Sequence, residues 1–70
     1  MTGTLKVLTL CSKVSSTMVN DAIVLEDIIN NLIVGDPDIE MLDSAQRFAI
    51  DIIYRNNILI TELKKIRDSE

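Results

Sequence analysis

The sequence predicts an all-α fold. It is an antiparallel two-helix hairpin, a single domain over residues 1–70, expected to pair with a second hairpin into a four-helix bundle. Three observations predict it. The chain has one strong break, Gly35-Asp36-Pro37, and no other cluster of turn-forming residues. On either side of that break, apolar residues recur alternately every three and four positions. When the two series are folded about the break, large side chains fall opposite small ones.

The first helix is expected over about residues 5–34, with Thr4 or Thr2 as its N-cap. Its stripe is Leu8, Cys11, Ser15, Met18, Ala22, Leu25, Ile29 and Leu32, and its solvated back is Lys6, Lys13, Asn20 and Asp27. Gly35 suits the left-handed conformation that ends many helices, so the turn falls at residues 35–36. Asp36 then suits the next N-cap. Pro37 suits the first helical position, where its missing N–H costs nothing. The second helix is expected over about residues 37–67. Asp38 and Glu40 lie at its positive end, and Lys64, Lys65 and Arg67 at its negative end. Its stripe is Leu42, Ala45, Ala49, Ile52, Asn56, Leu59, Leu63 and Ile66, backed by Arg47, Tyr54, Thr61 and Asp68. Folding sets residues opposite when their numbers total about 74, in a rod roughly 45 Å long at about 1.5 Å per residue. Ile29/Ala45, Leu25/Ala49, Ala22/Ile52 and Ser15/Leu59 then form large-with-small layers.

One seam does not cover all the apolar residues. Val7, Val14, Val19, Ile28 and Ile33 flank the first stripe, and Met41, Phe48, Ile53 and Ile60 the second. A lone hairpin would expose more apolar surface than monomers ordinarily do. Val14, Val19, Ile28, Phe48, Ile53 and Ile60 are therefore the expected face for self-association or for holding a partner helix. Asn56 is polar within its stripe, and reads either as a device that fixes register or as a layer open to water. Lys6, Lys13, Lys64, Lys65 and Arg67 gather at the open end, while Glu26, Asp27, Asp36, Asp38, Glu40 and Asp43 gather at the turn. That polarity favours antiparallel docking of two copies, selecting orientation more than supplying stability. Asp21 and Asp51 are placed either to meet across the hairpin or to stand as separate surface charges facing Arg55 or Arg47.

Composition excludes several functions. Apolar residues make up 47% of the chain and aromatic residues 3%; 7 basic and 11 acidic residues leave a net charge of −4. There is no histidine, and Cys11 has no second cysteine to pair with, so a disulfide framework, a structural zinc site and histidine acid–base chemistry are all excluded. Ser12, Ser15 and Ser16 have no general base. Asp36, Asp38 and Glu40 alternate like the start of a calcium loop, but Met41 and Arg47 stand where that loop needs Gly and Glu. No catalytic, cofactor-binding or metal-binding residue is expected. Met18 to Val34 is interrupted by Asp21, Glu26 and Asp27, so no membrane span is expected. The leading segment only faintly resembles a lipoprotein signal, because Leu10 is large and Lys6 and Thr9 interrupt the apolar run. A cytoplasmic protein is expected, with Cys11 reduced and packed as a small core residue. The acidic balance argues against nucleic-acid binding.

The second half carries a resemblance. Asp36-Pro37, Met41-Leu42, Gln46, Phe48-Ala49, Tyr54-Arg55-Asn56 and Leu63-Lys64-Lys65-Ile66-Arg67-Asp68 resemble the second helix of type III secretion needle subunits. The chain length and Ile50-Asp51-Ile52-Ile53-Tyr54 are similar to the small helical-hairpin chaperones that hold such subunits before export. Needle subunits have a more polar first helix and an apolar C-terminal extension, whereas this chain has an apolar first helix and ends at Arg67-Asp68-Ser69-Glu70. The resemblance therefore implies a chaperone or adaptor rather than a polymer subunit. Dimeric helical-hairpin regulators that bind RNA or a transcription-associated protein share the length and the layering, and supply the alternative by architecture alone.

Overall fold

The computed structural model describes residues 2–35 and 38–69. Two helices, α1 (Thr2–Val34) and α2 (Ile39–Ser69), pack against each other as a hairpin, with no strand among the described residues. The resulting rod measures 52 × 15 × 14 Å. Such long helices form because each carries a continuous apolar stripe and no internal Pro. Threonines are accommodated by bonding back along α1: the Thr9 hydroxyl donates to the Leu5 carbonyl at 2.8 Å, and that of Thr17 to the Lys13 carbonyl at 3.1 Å.

The ends differ from expectation in three places. α1 already begins at Thr2, so Thr4 is helical rather than a cap. Gly35 is not left-handed, since no described glycine has positive φ. Its N–H donates to the Asn31 carbonyl at 3.0 Å, which carries the helical bonding one step beyond Val34. A Cβ at residue 35 would lie 3.2 Å from that same oxygen, closer than side chains normally approach. Finally, α2 is capped by Asp38. The Asp38 carbonyl accepts the first helical bond from Leu42 N–H at 2.9 Å, while its Oδ1 accepts from Glu40 N–H at 3.1 Å. The roles expected of Asp36 and Pro37 lie outside the described residues.

Lengthwise, the pairing agrees with the expected fold. Asp21 reaches Arg55 across the hairpin and also faces Asp51. Residue 53, midway between those two, is the position that the turn assigns to residue 21. Rotationally, the helices differ from expectation. Residues seven apart form columns along a helix, adjacent columns being roughly 50° apart. Cys11, Met18, Leu25 and Leu32 lie in the α1 seam as expected, but they are joined by Val7, Val14 and Ile28 rather than by Leu8, Ser15, Ala22 and Ile29. On α2, Ala45, Ile52, Leu59 and Ile66 are joined by Met41, Phe48 and Arg55, while Leu42, Asn56 and Leu63 are left exposed. The cause is packing against a single neighbour. Ser15 and Ala22 offer it little side chain, whereas Val14, Ile28 and Phe48 supply bulk and Asp21 supplies an ionic partner for Arg55. Only Cys11, 7% exposed, and Val14, 8% exposed, are fully buried among the described residues.

Candidate interaction surface

The rotation gives the hairpin two unlike sides. Because the helices are antiparallel and both right-handed, the columns displaced from each seam emerge on the same side of the rod. From α1 these are Leu5, Leu8, Val19, Ile29 and Ile33; from α2 they are Ile39, Leu42, Ile53, Ile60 and Leu63, and all of them are exposed. Ser12, Ser15, Ala22, Gln46, Ala49 and Asn56 complete this side, and Glu26 and Arg67 are its only ionic residues among those described. The face runs the full length of the molecule. The chain exposes 5517 Å², against about 4,400 Å² for a compact protein of this mass.

Of the six residues expected on this face, Val19, Ile53 and Ile60 are there, 58%, 61% and 57% exposed. Val14 is a correction: it is buried between the helices and unavailable to a partner. Ile28 and Phe48 are half-buried at the opposite edge of the seam, where Phe48 borders a shallow open groove with Ser44, Arg47 and Asp51. Asn56 is corrected as a residue of the internal seam, since it is exposed and lies on the apolar face. Leu8, Ile29, Leu42 and Leu63 were expected in the seam and instead belong to this surface.

The opposite side carries the polar cross-link. Arg55 Nε donates to Asp51 Oδ2 at 2.7 Å and stands 3.7 Å from Asp21 Oδ2. The Asp21 side chain is only 14% exposed, and its Oδ2 is buried without a hydrogen-bond partner. Two ionised carboxylates cannot bond each other, so the pair is relieved when one keeps a proton. A hydrogen bond shared with Asp51 raises the Asp21 pKa above its ordinary 3.8, aided by burial and by the Asp51 charge, while Arg55 opposes it. The same bond, together with Arg55, lowers Asp51. The protons therefore leave the pair in two steps. Asp51 contributes stability above pH 3.8 that is lost as pH falls through its lowered value. Asp21 contributes stability below pH 3.8 that is lost as pH rises through its raised value. Asp21→Asn, whose amide can donate to Asp51, is expected to raise the melting temperature at pH 7. Its advantage should shrink as the solution is acidified towards 3.8, a trend that paired thermal melts across pH would show.

No protein-family model, curated protein or solved structure matches the chain. Its function must therefore be read from the surface itself. The Asp21–Asp51–Arg55 cluster ties the helices together and has no enclosed cavity beside it, since the adjoining groove is open. No group of three metal-ligating side chains occurs among the described residues. No described helix is long and apolar enough to cross a membrane.

Proposed function

We propose that the chain is a protein–protein interaction module, acting by binding rather than catalysis, whose working surface is the apolar face from Leu5 and Leu63 to Ile33 and Ile39. The observation that supports this is placement. Ten large aliphatic side chains from two helices share one side of a rod while the ionic groups lie almost wholly on the others. An exposed patch of that extent marks an association site. Its straight, ridged shape suits other helices, whose side chains interdigitate with such a surface.

Within this reading, the chain serves as a chaperone or assembly component in the cytoplasm, and its resemblance to needle-subunit chaperones supports a place in a secretion apparatus. An RNA-binding regulator is less well supported, because Lys6, Lys13, Lys64 and Lys65 are scattered over the open end rather than forming a strip. The test is the double variant Val19→Lys/Ile53→Lys, assayed by sedimentation for every complex the wild-type chain forms, with itself or with host proteins. All are expected to be lost while helicity is retained; complexes that survive unchanged would place the working surface elsewhere.

A further inference from the structure

The rotation of the seam identifies what covers this face. In a square four-helix bundle each helix touches two neighbours at right angles, so its apolar stripe points to the bundle axis, roughly 45° away from either neighbour. In this hairpin the contact between α1 and α2 is displaced by one column, roughly 50°, from the Leu8–Leu32 and Leu42–Ile66 stripes. That displacement is the same on both helices and towards the same side. The hairpin therefore has the geometry of half a bundle, its stripes converging on an axis outside its own seam.

Building on the interaction-module reading, we infer that the other half is a second copy of this chain, docked face to face and end to end reversed. A two-fold axis then sets α1 against the partner's α1 and α2 against the partner's α2, with every neighbouring pair antiparallel. Three observations select this occupant. The surface beyond that of a compact protein is on the order of 1,000 Å² per chain, enough for a stable interface, which takes about 800 Å² from each partner. The midpoint of α2 lies between Ile53 and Asn56, so the axis passes beside both. Asn56, exposed in the single hairpin, lies within one turn of that axis on each copy, so both amides fall in the central layers, where a polar side chain amid aliphatic ones fixes register. The charged edges of α2 are also self-complementary. Asp43 and Lys64 occupy the same column near opposite ends of the helix, so reversal sets Lys64 beside the partner's Asp43 at both ends of the interface. Docking with like ends together would instead crowd Lys64, Lys65 and Arg67 against their counterparts.

The wild-type chain supplies its own test. Lys64 and Asp43 lie 21 residues apart on one helix, about 31 Å at 1.5 Å per residue, so a zero-length carbodiimide bond between them forms only between two antiparallel α2 helices. Sedimentation equilibrium is expected to give twice the 7.8 kDa chain mass at micromolar concentration. Mass spectrometry of the carbodiimide-treated dimer is expected to identify the Lys64–Asp43 bond. A 7.8 kDa species would overturn the inference, and so would a dimer lacking that bond. If the chain alone is monomeric yet Val19→Lys/Ile53→Lys abolishes its complex with a host protein, the second copy fails while the interaction-module reading stands.

Discussion

Val14→Asp is expected to unfold the hairpin under conditions in which the wild type is folded. Val14 and Cys11 are the only fully buried residues described, and both lie where α1 meets α2. A carboxylate at residue 14 would have to shed water between the helices, at the level where the pairing sets Leu59 of α2, or remain neutral at a large cost. That penalty is about 3 kcal/mol or more. A domain of this size has only roughly 4–10 kcal/mol in total. Urea titration followed by circular dichroism would read the loss, with Ser16→Asp, on the exposed back of α1, as the control. Equal stability of Val14→Asp and wild type would show that the seam is not where the structure places it and would restore the Leu8–Ser15–Ala22 stripe as the internal contact.

Val19→Lys/Ile53→Lys is expected to act in the opposite way, leaving each hairpin intact and separating the copies. Both positions are more than half exposed in the single chain, and lysine favours helix at least as well as valine or isoleucine. In the reversed dimer, residues 19 and 53 both lie beside the two-fold axis, so each new ammonium faces its own counterpart. Four aliphatic side chains are lost from the interface, each worth about 1.5 kcal/mol or more when buried. Association should therefore weaken at least about a thousandfold, at tenfold per 1.4 kcal/mol. Sedimentation over a concentration series would measure the shift. An unchanged dimer would mean that these residues face water in the assembly.

The hairpin and its lengthwise pairing were legible in the sequence, because one Gly-Asp-Pro break separates two uninterrupted apolar periodicities. The rotation of each helix was not legible. The apolar band is three columns wide, and spacing alone does not say which two columns face a single neighbour. Val14 and Leu8 are equally apolar. What separates them is the bulk their columns present across the seam, set by Ser15 and Ala22 in one and by Ile28 in the other, together with the attraction of Asp21 for Arg55. The meeting of Asp21 and Asp51 was legible as one of two readings, and the one-column rotation is what realises it. The cap that Asp38 supplies to α2 was not singled out, because three acidic side chains crowd the turn and a one-dimensional reading favours the one before proline. Asn56 was recognised as unusual, but its place on the outer face follows only from the rotation.

The central claim is that this hairpin buries too little by itself and depends on a covering for its apolar side. Thermal unfolding of the wild-type chain, followed by circular dichroism over a hundredfold range of concentration, tests it directly. The melting temperature is expected to rise steadily with concentration, as mass action requires when folding and association are coupled. A cooperative transition at one fixed temperature throughout, from a species of monomer mass, would contradict it.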